Sequence, residues 1–198
     1  AVCLQNKDKS TEVINMVNQA RLSGLNIVSD QYPYDGAKTF YLASLINLSE
    51  QQRQQEVNIK SALRDPVFKE QLQKQSEWGL NGRFSWLQTV GYSCIRITQS
   101  DDFPELVGLY LSEIAASKKI PDFELLTQLL LSADKPIQVT LGGIQEKEVQ
   151  QVLVQPWNMI VSDGRYIHVN SSLGSHPRST GTFPRILGHY VRDLQLLT

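Results

Sequence analysis

Apolar positions in this chain follow a helical period near its start and strand-like runs further on. Val13, Ile14, Val17, Ala20 and Leu22 recur at near-helical spacing, after Ser10 or Thr11 as a cap and before Gly24. The run at 25–28, Leu-Asn-Ile-Val, reads as a strand, and it empties into the polar and aromatic loop 29–36, Ser-Asp-Gln-Tyr-Pro-Tyr-Asp-Gly. In α/β barrels the loops at the C-terminal edges of the strands are where chemistry sits.

From about residue 40 to residue 86 the texture changes. Gln and Glu crowd positions 50–56, residues 61–75 have a helical pattern, and Trp78 and Trp86 flank Gly79-Leu80-Asn81-Gly82. This reads as an inserted, mainly helical subdomain, either a lid that sets specificity or a spacer that only packs. Strand and helix then alternate: a strand at 92–98, helices at 106–116 and 121–133, and a strand at 137–141 ended by Gly142-Gly143. A helix at 146–154 leads through Pro156-Trp157 into the apolar run 159–161, closed by Ser162-Asp163-Gly164. The expected division is a barrel segment over 1–39, the insertion over 40–91 and a second barrel segment over 92–198. The alternation predicts the α/β class, as part of a parallel sheet or barrel.

Composition narrows the function more than the fold. The 198 residues are 41% hydrophobic and 20% charged, which places the chain in the globular class. A formal net charge of -1 with scattered Lys and Arg gives no basic stripe for nucleic acid or an anionic membrane. A small neutral or anionic molecule remains as partner. Cys3 and Cys94 form no CxxC pair, so neither a disulfide scaffold nor a zinc ribbon is indicated, and a reducing cytoplasmic setting is expected. No apolar run approaches the ~20 residues of a membrane helix.

Candidate chemistry gathers in the last quarter. Asp163 follows a buried-looking strand and precedes a glycine, so its carboxylate is expected at a strand's C-terminal rim, although Asp-Gly is also among the commonest turn pairs. The stretch 175–185, Ser-His-Pro-Arg-Ser-Thr-Gly-Thr-Phe-Pro-Arg, brings His176, Arg178 and Arg185 into one loop before an apolar helix. Two guanidiniums there can clamp a carboxylate bidentately, or they can simply hold a loop and cap carbonyls. The three histidines, His168, His176 and His189, stand in no HxH or HExxH arrangement, so a zinc site within this chain alone is not expected. No Walker loop, GxGxxG or GxSxG is present.

Three stretches taken together resemble one family, the N-acyl-D-amino-acid deacylases of the amidohydrolase superfamily. Asp30-Gln31-Tyr32-Pro33-Tyr34 resembles their D-x-Y-P-Y segment. Residues 157–164 resemble the strand that carries their catalytic Asp. Residues 176–192, HPRSTGTFPRILGHYVR, closely resemble their HPR…GTFPR.LG.YVR signature. The similarity runs over nearly the whole chain in the same order.

The resemblance implies a metal-dependent (β/α)8 barrel with an inserted subdomain, and hydrolysis of the amide of an N-acyl-D-amino acid. It implies that Asp163 is the general base that takes a proton from zinc-bound water and passes it to the leaving amine. It also implies that Tyr32 hydrogen-bonds the substrate. Lys38 stands where the family has a substrate-binding serine, and a lysine there suits a second substrate carboxylate. The family's HxH and remaining metal ligands have no counterpart here. The expectation is therefore a C-terminal portion of a zinc enzyme, with zinc in the parent, none on this chain alone, and association of copies through open strand edges. Two alternatives stand beside it, a non-catalytic ligand-binding or interaction module and a cyclic amidohydrolase such as a hydantoinase.

Overall fold

The computed structural model describes residues 7–36, 38–80, 85–164 and 176–198, with the backbone alone at Lys38 and Thr39. His168 lies outside the described residues, as do Cys3, Asn81 and Gly82. In chain order the elements begin with α1 (Ser10–Leu22), β1 (Ser29–Gln31), β2 (Lys38–Tyr41), α2 (Glu50–Gln54), α3 (Ile59–Arg64), α4 (Pro66–Trp78) and α5 (Trp86–Val90). They continue with β3 (Ile95–Gln99), α6 (Leu111–Lys118), α7 (Asp122–Ser132), β4 (Gln138–Leu141), α8 (Glu146–Leu153), β5 (Asn158–Ile160) and α9 (Arg178–Arg185). A π-helix, Ile186–Asp193, follows α9 directly.

The chain forms two compact units, residues 1–37 with 143–198, and residues 38–142. In the first, β1 and β5 pair in parallel, Ser29 opposite Asn158 and Gln31 opposite Ile160. Strand residues alternate between faces. Asp30 and Met159 are exposed, whereas Gln31 turns inward and its Nε2 donates to the Val149 carbonyl of α8 at 3.0 Å. Val149 and Leu153 of α8 meet Ile186 and Tyr190 of the π-helix in a small core flanked by Ile160. Helix α1 joins α8 through polar contacts, Ser10 Oγ donating to Gln151 at 2.5 Å. It also receives the Trp157 indole N–H at Asn18, 2.8 Å away. Val13 and Leu22, both in the helical apolar pattern, are half-exposed or more.

The second unit departs from the sequence expectation. Strands β2, β4 and β3 lie side by side in that order, and both pairings are antiparallel rather than parallel. Ile95, Ile97, Val139 and Leu141 are fully buried in this sheet and alternate with the exposed Arg96 and the half-buried Thr140, as strands with one buried face do. The helix expected over 106–116 starts only at Leu111. Gly108, at φ +94°, turns the chain so that its N–H bonds the Ile97 carbonyl at 2.8 Å and Leu109 extends the sheet edge. The helix expected over 61–75 is two helices, because Pro66 cannot continue the first. Asp65 caps the second by accepting from Val67 and Phe68 N–H at 2.9 and 3.0 Å. The molecule is thus a mixed α/β protein with no closed barrel among its described residues. No helix of those residues is long and apolar enough to cross a membrane.

Candidate functional site

Because β1 and β5 are parallel, the segments leaving them emerge at one edge. The first is the turn from Tyr32 to Gly36; the second runs through Val161, whose N–H reaches the Gln31 carbonyl at 3.0 Å, to Asp163. Asp163 sits at φ +44°, a left-handed backbone that Asp adopts more readily than most residues. Gly164 lets this turn lie flat on α9, since a Cβ there would fall 3.0 Å from Ser179 Cα. The Ser162-Asp163-Gly164 stretch is therefore packed against the first turn of α9 and is more than a solvent turn.

Arg178, the first residue of α9, reaches across to it. Its Nη2 lies 2.9 Å from the Asp163 carboxylate and its Nε donates to the Asp163 carbonyl at 3.0 Å. The arginine side chain is 11% exposed and the aspartate 61%, so one partner is anchored and the other faces water. The guanidinium also stands over the Tyr32 ring, 4.6 Å from its centroid, a stabilising cation–π geometry.

His176 ties these parts together without being free to react. Its Nδ1 accepts the Arg178 backbone N–H at 3.1 Å, so Nε2 carries the proton and donates to the Gly36 carbonyl at 2.9 Å. Its ring meets those of Tyr32 and Tyr34 edge-on, with centroids 6.0 and 5.5 Å away. Burial holds the imidazole below the ordinary histidine value, aided by the Arg178 charge and opposed by the Gly36 hydrogen bond, Asp35 and Asp163.

At the far end of α9, Arg185 turns inward. Its Nε donates to the buried Pro33 carbonyl at 2.8 Å, and its Nη2 lies 3.3 Å from Glu146 and 3.4 Å from the Tyr190 hydroxyl. That hydroxyl in turn donates to Glu146 at 2.6 Å. The π-helix explains the pairing of 185 with 190. Its wider turn bonds residue i to i+5, as the Leu194 N–H does to the His189 carbonyl at 2.8 Å, and so stacks positions five apart. Pro184, which lacks an N–H, sits where the α-helical ladder gives way.

Of the residues singled out in the sequence, the structure brings Asp163, Tyr32, His176 and Arg178 together, with Arg185 behind them. Lys38 belongs to the other unit, and its side chain is outside the description. Tyr34, Glu146, Gly181 and Tyr190 were missed. Tyr34 was visible in the D-x-Y-P-Y stretch, and Gly181 and Tyr190 in the GTFPR and YVR parts of the 176–192 signature, but Glu146 carried no local signal. Among the described residues no three His, Cys, Asp or Glu side chains come together as a metal-ligand set.

No protein-family model matches the chain. Over 193 residues, 98% of its length, it is 26% identical to the N-acyl-D-glutamate deacylase of Alcaligenes xylosoxydans xylosoxydans, of which that stretch is 29%. Over 100 residues, 50% of the chain, it is 38% identical to the D-aminoacylase of the same organism, 19% of which is matched. Its structure aligns over 100% of its length with 31% of the N-acyl-D-glutamate deacylase of Bordetella bronchiseptica, solved with zinc and a phosphonate inhibitor, at 25% identity and a TM-score of 0.54. The chain is a relative of the N-acyl-D-amino-acid deacylases. A D-aminoacylase crystal structure aligns with 99% of the chain at 26% identity and a TM-score of 0.53, 30% of that protein being covered. The chain thus spans less than a third of the length of the deacylases it matches.

Proposed function

We propose that the protein carrying this chain hydrolyses the amide bond of N-acyl-D-amino acids, with Asp163 as its proton-transfer group. The observation that carries this reading is the position of Asp163 at the C-terminal edge of a parallel strand pair, beside Arg178 and Tyr32, in a chain related along its length to deacylases. Amide hydrolysis needs a group that accepts a proton from the attacking water and delivers it to the amine as the C–N bond breaks. A carboxylate at a solvent-facing rim suits both steps. Arg178 offers its guanidinium to the substrate's carboxylate, and Tyr32 offers a phenol on an apolar ring.

In this reading β1, β5 and their flanking helices are part of a (β/α)8 barrel, and residues 38–142 are its insertion. Lys38 meets a second carboxylate, as an N-acyl-D-glutamate would present. Zinc belongs to the deacylase that contains this chain. The described residues do not fit a zinc centre, since the Asp163 carboxylate is paired with Arg178 and both His176 nitrogens are engaged. Their assigned chemistry is therefore proton transfer and substrate binding.

The test is amine release from N-acetyl-D-amino acids and their L enantiomers by protein carrying this sequence, supplied with zinc. D-selective hydrolysis is expected, and Asp163→Asn is expected to lower kcat by about 10²–10⁴-fold with the melting temperature unchanged. No D-selective hydrolysis in the wild type would end the reading. Undiminished activity in Asp163→Asn would end the role of Asp163.

A further inference from the structure

The two arginines of α9 were grouped in the sequence as one carboxylate clamp, and the structure separates them. Arg185 spends its fork on the protein. It donates to Pro33 O, faces Glu146 and the Tyr190 hydroxyl, and lies between the rings of Tyr34 and Tyr190, 5.2 and 5.4 Å from their centroids. Its Glu146 and Tyr190 partners are bonded to one another, and Tyr190 is 0% exposed. We propose that Arg185 is a positioning residue that locks the Tyr32-Pro33-Tyr34 turn onto the end of α9, so that Tyr32 is presented beside Arg178 and Asp163. The link to catalysis rests on the deacylase reading; the lock itself does not.

Three features support a lock over a merely charged neighbour. The planar guanidinium reaches a backbone carbonyl and a carboxylate at once, which a lysine point charge cannot reproduce. The Tyr34 ring is held on its other side by His176, and its hydroxyl sits 3.5 Å from the Pro177 carbonyl above Gly181. Burial raises the Tyr34 phenol above its ordinary value of 10.0, and the Arg185 charge opposes that rise.

These opposing influences make the sign of one measurement decisive. The chain is labelled at its tyrosine rings, the Tyr34 signal is assigned by its loss in Tyr34→Phe, and its titration is followed by NMR. Loss of a lock lets water reach the ring, so Arg185→Gln is expected to bring Tyr34 down toward 10.0 and to shift the His176 ring signals. Arg185→Lys, which keeps the charge, is expected to behave like Arg185→Gln. Tyr190→Phe retains the arginine and removes only the phenol oxygen, and a smaller shift of the same sign is expected. A Tyr34 titration that rises or stays put in these variants, with His176 unmoved, would overturn the proposal. In protein with deacylase activity, Arg185→Lys is further expected to raise KM about tenfold while kcat changes less, the ratio expected from one lost hydrogen bond of about 1.4 kcal/mol. Absence of activity in the wild type would strike the deacylase reading alone, since the Tyr34 titration decides the lock without it.

Discussion

Arg178 and Arg185 open and close the same eight-residue helix, yet their partners differ in kind. Arg178 meets a carboxylate that is 61% exposed, at an edge where two parallel strands end. Arg185 meets a buried proline carbonyl and a glutamate already bonded to a fully buried tyrosine. The Asp163 carboxylate can turn to water when an anionic ligand takes its place on Arg178, so that partner loses little in the exchange. Releasing Arg185 instead strips the buried Pro33 carbonyl of a donor, at about 1–3 kcal/mol, while Glu146 keeps the Tyr190 hydroxyl. The residue type is the same; the partner's access to water decides whether an arginine can serve a ligand.

That contrast breaks most readily at Arg178. Replacing it with Gln is expected to raise KM for an N-acyl-D-amino acid by about 10- to 100-fold, the loss of a charge-assisted hydrogen bond of about 1.5–3 kcal/mol. The Tyr34 titration is expected to stay where it is. Initial-rate kinetics on the variant check this. An unchanged KM would remove Arg178 from substrate binding and leave it as a loop anchor, like its counterpart at the other end of α9.

The sequence showed the two ends of this site unequally. Asp163, His176 and Arg178 were legible because a turn after a short apolar run and a dense His-Pro-Arg stretch carry local signals; Tyr32 was legible through D-x-Y-P-Y, while the strand expected at 25–28 forms instead over the polar Ser29–Gln31. The contacts of Arg185 were not legible, although Tyr190 stands in the same signature. Glu146 lies 39 residues before Arg185 and Tyr190 five after it, and a π-helix, which no local pattern announced, brings 185 and 190 onto one face. The same limit applied to the second unit. At 95–99 and 138–141 the buried Ile95, Ile97, Val139 and Leu141 alternate with Arg96 and Thr140, a period that marks one buried face but names neither a strand's neighbours nor their direction. Gly108 and Pro66 were read as interior to helices, although each marks a place where the backbone leaves one.

A second prediction sharpens the contrast from the Tyr34 side. A Cβ at Gly181 would fall 2.5 Å from the Tyr34 hydroxyl oxygen but 3.8 Å from the ring carbon that bears it. Gly181→Ala is therefore expected to destabilise the protein by about 1–3 kcal/mol through overpacking, despite the gain in helix propensity of ~1 kcal/mol that alanine brings. In a Tyr34→Phe background the clash is gone, and the same substitution is expected to be neutral or stabilising. A double-mutant cycle by urea denaturation reads this directly. Equal costs in both backgrounds would mean that Tyr34 does not rest on α9, and the lock built on Arg185 would lose its other face.

The smallest effect expected is the pH dependence that His176 imposes on the turn between the two arginines. Its imidazole is held below 6.5, first by burial and then by the Arg178 charge, against the Gly36 carbonyl, Asp35 and Asp163. The unfolded chain therefore binds a proton at higher pH than the folded chain does. Between the two values the unfolded state carries more protons, so stability rises with pH there. The contribution is complete above about 6.5, declines as pH falls below it, and is lost once pH passes the lower folded value. Protonation at Nδ1 also turns the acceptor of the Arg178 N–H into a donor, so the first turn of α9 loses its tether. Thermal melts between about pH 5 and pH 7.5 are expected to show this slope in the wild type and a flatter one in His176→Gln. An identical slope in the two proteins would assign the pH dependence to the carboxylates, and would leave His176 as a packing residue between Tyr32 and Tyr34.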